Sequence, residues 1–80
     1  MPDMKKNMNN LAEFVASKRH EAGLSSKELA DRSGLSPAYI SRIEQGHYES
    51  PSLPTIKALA DGLGLTLHAF LSEAGLLNNQ

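Results

Sequence analysis

Pro37, Ala38, Ser41 and Arg42 lie within one nine-residue segment, PAYISRIEQ, and their side chains suit the reading of a nucleic-acid base edge. A guanidinium can donate two parallel hydrogen bonds to guanine O6 and N7, which makes Arg42 the strongest candidate for direct base contact. A serine hydroxyl can donate or accept at several bases, so Ser41 is a weaker reader. Ala38 and Pro37 permit close approach and could touch a thymine methyl, although Pro37 serves helix initiation equally well. Ser26 and Lys27 begin another helix, whose N–H groups and positive dipole end favour an anion. Tyr39, His47 and Tyr48 can each donate to a phosphate from the flanks. No catalytic constellation competes with these groups. The three histidines, 20, 47 and 68, are scattered and have no carboxylate at metal-ligand spacing. No Gly-rich phosphate loop follows a strand. The expectation is a non-enzyme with no metal and no cofactor.

Two short helices and a tight turn must position these residues. Ser25 can cap the first of the two, with Glu28 three residues on completing a capping box. Leu29 and Ala30 supply its inner side. Gly34 stands where the helix must stop in a left-handed conformation, which glycine takes without steric cost. Ser36 caps the next helix and Pro37 occupies its first turn, where a missing N–H removes no bond. Ile40 and Ile43 hold that helix down. Each residue advances about 100° around the axis, and the direction opposite Ile40 and Ile43 falls near Ala38 and Gln45. Arg42 and Ser41 lie about 50° to either side of it. Gln45 points outward at the far end, beyond the bases. A helix so held can lay its outer face in a DNA major groove.

Helical periodicity extends along most of the chain. A first helix is expected over 11–22, capped by Asn10, with Leu11, Phe14, Val15 and Ala22 inward and Gly23 as its stop. The helices of the turn motif cover 26–33 and 37–45. Ser52 caps a fourth helix over 53–63, in which Ile56, Leu59, Ala60 and Leu63 form one face. Thr66 caps a fifth over 67–74, with Leu67, Phe70 and Leu71 inward. Five helices, short connections and no strand signal give an all-α compact bundle. We divide the chain into a polar N-terminal tail (1–9), one helix-turn-helix domain (10–77) and a C-terminal tail (78–80). Within the domain, the motif spans 26–45 and the recognition helix 37–45.

Composition narrows the function classes. Eighty residues allow one small domain, and with only four aromatic residues its core must be aliphatic. The absence of cysteine removes disulfides and thiolate metal sites and suits a reducing cytoplasm. No apolar run approaches the roughly 20 residues of a membrane span, and the start MPDMKKNMNN has no apolar signal region. The net charge of −1 is unusual for a nucleic-acid binder, so the distribution of charge matters more than its sum.

The segments GLSSKELADRSGLSPAYISRIEQG and PSLPTIKALADGLGL together resemble the phage repressor and Cro-type helix-turn-helix family, also called the xenobiotic-response-element family. Leu29-Ala30, Gly34, Ile40, Ile43, Glu44-x-Gly46, Pro51 and Leu59-Ala60 before Leu63-Gly64 carry the likeness, which covers roughly 11–71. The resemblance implies a sequence-specific DNA-binding regulator, bacterial or phage-encoded, cytoplasmic and nucleoid-associated, whose third helix enters the major groove. It implies a homodimer on a two-fold operator. It makes the residue at Ser26 a phosphate contact and pairs Arg19 with Glu44, an ion pair expected to be partly buried and structural. Glu49 departs from the basic residue that family members often carry in that loop.

Of the eight basic residues, Lys27 and Arg42 fall on the DNA side and Arg19 could reach it; Lys5 and Lys6 in the tail could touch a phosphate or a minor groove. One copy should therefore bind weakly, and a dimer doubles its contacts. Leu67, Phe70, Leu76 and Leu77 are the expected interface. A second reading keeps the fold but gives the third helix, or Leu76-Leu77, a protein partner such as a toxin or polymerase subunit. The acidic balance favours that reading; Arg42 and the complete set of caps oppose it.

Overall fold

Gly34 and Gly64 set the geometry of the bundle by stopping two helices in the left-handed region, at φ +79° and +76°. The computed structural model describes residues 10–48 and 51–76. Among them it forms α1 (Asn10–Glu21), α2 (Ser26–Ser33), α3 (Pro37–Glu44), α4 (Leu53–Leu63) and α5 (Leu67–Glu73), and no strand. No helix among the described residues is long and apolar enough to cross a membrane.

The caps explain most of the boundaries. Ser25 Oγ accepts from the Glu28 N–H at 3.0 Å, while the Ser25 N–H donates to Glu28 Oε1 at 2.8 Å. At the end of α2 the Gly34 N–H returns to Ala30 O at 2.8 Å, and Leu35 donates to the same carbonyl at 3.2 Å. Ser36 Oγ accepts from the Tyr39 N–H at 3.1 Å and opens α3. Thr66 Oγ1 accepts from the Ala69 N–H at 3.0 Å and opens α5.

Several expectations need correction. Asn10 is the first residue of α1 and not its cap. Ala22 lies past the end of α1 and is exposed, whereas Ala12 is buried in its place. Ser52 occupies the N-cap position of α4, but its side chain accepts no backbone N–H; its hydroxyl donates to Thr55 Oγ1 at 3.2 Å. Helices α3 and α5 each end one residue early, with Gln45 and Ala74 as C-caps.

The core joins Leu11 and Val15 of α1, Leu29 and Ala30 of α2, Ile40 and Ile43 of α3, Ile56, Leu59 and Ala60 of α4, Phe70 of α5, and Ala74. The Phe70 ring meets Phe14 edge to face, with centroids 5.0 Å apart. Helix α2 packs most extensively on α4, and α3 is held between α1 and α2. The α2–α4 crossing depends on Gly62. A Cβ there would lie 2.8 Å from Leu29 Cδ1 and 3.1 Å from Ser33 Cβ.

Candidate nucleic-acid interface

Helix α3 divides into a buried side and an open side. Ile40 and Ile43 have no solvent exposure, while Pro37, Ala38, Arg42 and Gln45 are exposed and Ser41 is half-buried. The outer residues therefore share one face, as the helical spacing requires. Nothing in the described chain covers Arg42, whose guanidinium is outside every ion pair found among the described residues. Arg42, His47 and Tyr48 together line a shallow concavity beside that face.

The flanking groups are more constrained than their spacing suggested. Tyr39 is half-buried; its hydroxyl lies 3.3 Å from Thr55 Oγ1, and its ring meets Tyr48 at a centroid distance of 5.2 Å. The Ser52–Thr55–Tyr39 chain thus ties the start of α4 to α3. The helical pattern gave no sign of it, since no sequence spacing links position 39 to position 55. His47 is exposed, and its Nε2 lies 3.2 Å from Gln45 Oε1. Ser26 is half-buried at the start of α2. Lys27 beside it is open to solvent, with its ammonium 3.8 Å from Asp31.

Arg19 and Glu44 fix the angle of α3. Arg19 Nε lies 2.7 Å from Glu44 Oε2 and Nη2 lies 2.9 Å from Oε1, a bidentate pair with both side chains 13% exposed. The third nitrogen, Nη1, donates to Leu24 O at 2.9 Å. The hydrogen bonds that Arg19 donates to Glu44 hold its guanidinium more firmly protonated than usual, against an opposing effect of burial. These bonds engage all three guanidinium nitrogens, so Arg19 acts as a clamp.

The described residues expected at a dimer interface differ in burial. Phe70 is removed from that set: its ring is fully buried between α5 and α1 and cannot meet a second copy. Leu67 and Leu76 are half-buried against the core, and the Leu76 N–H closes α5 onto Leu71 O at 2.8 Å. Leu77, like Lys5, Lys6 and Glu49, lies outside the described residues. Sequence spacing also missed Lys18, which reaches Glu73 at 3.2 Å and Glu21 at 3.6 Å and so joins α1 to α5.

Residues 15–70 match HTH_3, the helix-turn-helix family. Control protein C.SmaI of Serratia marcescens is 37% identical over 70 residues, which cover 88% of this chain and 82% of that protein. The immunity repressor protein of Bacillus phage phi105 is 36% identical over 62 residues, 78% of this chain and 42% of that protein. The chain spans about half the length of most of the curated relatives it matches. Among solved structures, the clp gene regulator ClgR from C. glutamicum is similar with a TM-score of 0.72 at 30% identity, over 91% of this chain and 95% of that one.

Proposed function

The chain belongs to the HTH_3 helix-turn-helix family, and from that membership we propose that it regulates transcription by binding DNA sequence-specifically. Helix α3 lies in the major groove of a two-fold operator, and the protein acts as a homodimer. One observation carries this reading. The inner side of α3 is sealed by Ile40 and Ile43 and clamped by the Arg19–Glu44 pair, while its outer side presents Pro37, Ala38, Ser41 and Arg42 together. Pre-set side chains on a rigid element are what base reading requires. Arg42 reads guanine, Pro37 and Ala38 meet the groove wall, and Ser41 reads its neighbour. Ser26, Lys27, Tyr39, His47 and Tyr48 contact phosphates. The control and repressor proteins among the relatives support the regulatory role.

Dimerisation follows from charge. On the proposed DNA face each copy offers Lys27, already beside Asp31, and Arg42. Few phosphates are neutralised by one copy, so useful affinity needs two half-sites. The solvent side of α5, with Leu67, Leu76 and the following Leu77, forms the contact. Selection of bound sequences from a random DNA pool, followed by mobility-shift titration at several salt concentrations, tests the proposal. A palindromic site and an affinity that falls with salt are expected. Binding without sequence preference, or no binding at low salt, overturns it and leaves the protein-partner reading.

A further inference from the structure

Gln45 holds two neighbours on the outer side of α3. Its Nε2 donates to Ser41 Oγ at 3.0 Å, and its Oε1 lies 3.2 Å from His47 Nε2. The carbonyl oxygen can only accept, so His47 presents Nε2–H to it; the amide nitrogen can only donate, so it uses a lone pair of the Ser41 oxygen. A serine inside a helix commonly returns its proton to the carbonyl one turn back. Ser41 makes no such bond among the described residues, and Gln45 is its one side-chain partner there. The Ser41 O–H therefore has no protein acceptor among the described residues; Ser41 is half-buried, and exposed Ala38 separates it from Arg42 around the helix.

We infer that Gln45 is a positioning residue for base recognition: by donating to Ser41 it keeps that hydroxyl's proton directed at the DNA, so that Ser41 selects a base edge carrying an acceptor. Guanine O6 and N7 and thymine O4 are such edges; the exocyclic amines of cytosine and adenine are donors. The inference rests on the proposed placement of α3 in the major groove. It gives Ser41 a definite polarity, which a free hydroxyl lacks, and it assigns that polarity to a residue one turn away that need not touch a base itself.

Exchange of the amide for a carboxylate reverses the relay. In Gln45→Glu the side chain can only accept, so it captures the Ser41 proton and leaves lone pairs facing the DNA. In Gln45→Met the side chain keeps its length and loses both bonds. The test is random-pool selection with the whole chain as wild type, Q45E, Q45M, S41A and the S41A/Q45E pair, with a thermal melt of each. Wild type should favour guanine or thymine at one position per half-site, by roughly tenfold. Q45E should turn that position toward adenine or cytosine and leave the other positions unchanged. Q45M should flatten it, and S41A should make Q45E silent in the profile. The melts should stay close to wild type, because Gln45 is exposed. Overall weakening by Q45E with an unaltered profile reports only added negative charge and overturns the relay. A changed preference that persists in S41A/Q45E means residue 45 reads the base itself, and also overturns it. A wild type with no sequence preference removes the major-groove reading and this inference together; a selective wild type with indifferent Gln45 variants removes this inference alone.

Discussion

Arg19 grips Glu44 through two nitrogens, at 2.7 and 2.9 Å, and uses the third to hold the carbonyl of Leu24 at 2.9 Å. One guanidinium thereby joins α1, the turn that follows it, and the last residue of α3. Both side chains are 13% exposed, so loss of either strands a charge with little water around it. We expect Glu44→Ala to destabilise the domain by up to about 3 kcal/mol, the lower part of the range for breaking a buried pair. Glu44→Gln, which keeps one acceptor for Arg19, should lose less. Thermal melts measure both. An unchanged midpoint for Glu44→Ala would mean that the pair contributes nothing to stability in solution.

Arg42 has the opposite character. It is exposed and belongs to none of the ion pairs found among the described residues, so its removal should leave the fold intact. We expect Arg42→Ala to weaken specific binding by about 1–3 kcal/mol per contacted guanine and to relax preference at one position per half-site. Nonspecific affinity should change much less. Equal loss of both in a titration series would make Arg42 a phosphate contact.

The parts of the fold that were legible in the sequence are those written in local chemistry. Ser25 with Glu28, Ser36 with Pro37, and Gly34 each satisfy or release backbone groups within a few residues, so type and spacing suffice. The shared outer face of Ala38 and Arg42 follows from helical periodicity alone. Phe70 is buried as its helical spacing requires, which removes it from the interface; periodicity gives a direction and not a neighbour, so it does not say whether an apolar residue is covered by its own chain or by a second copy. The Tyr39–Thr55 and Gln45–His47 contacts were illegible because they depend on how helix ends and loops approach, which no repeat encodes. Ser52 has the residue type and position of a cap, but its hydroxyl is turned to donate to Thr55, a contact that the cap pattern does not encode.

Gly62 shows how a close approach hides in a helical pattern. Its backbone is ordinary helix, yet a Cβ would sit 2.8 Å from Leu29 Cδ1 and 3.1 Å from Ser33 Cβ. Leu29 is fully buried, so it cannot swing away freely. We expect Gly62→Ala to destabilise by about 1–3 kcal/mol through overpacking, despite alanine's better helix propensity. Gly34→Ala is strained for a different reason: no atom crowds its Cβ, but φ is +79°. Its loss should be about 1–2 kcal/mol, from the backbone alone. Gly34→Asn should recover part of that loss, whereas Gly62→Asn should be worse than alanine. Denaturant midpoints of the four variants separate the mechanisms.

Assembly must be tested where the fold will not confuse the result. Leu76 packs partly on the core and Phe70 fills it, so replacing either damages the monomer before it reports on a dimer. His68 is exposed on α5, and Leu77 follows the last described residue. A pair of like charges across a two-fold axis repels, so His68→Glu should weaken a dimer built on α5, and Leu77→Ser should remove apolar area from it. We expect wild type to sediment as a dimer at micromolar concentration and each variant to shift toward monomer with little change in monomer stability. Operator affinity should fall with the dimer, because recognition helices about 34 Å apart can engage both half-sites only when joined. A wild type that stays monomeric at high micromolar concentration would remove the α5 dimer. Variants that remain dimeric would move the interface to another face.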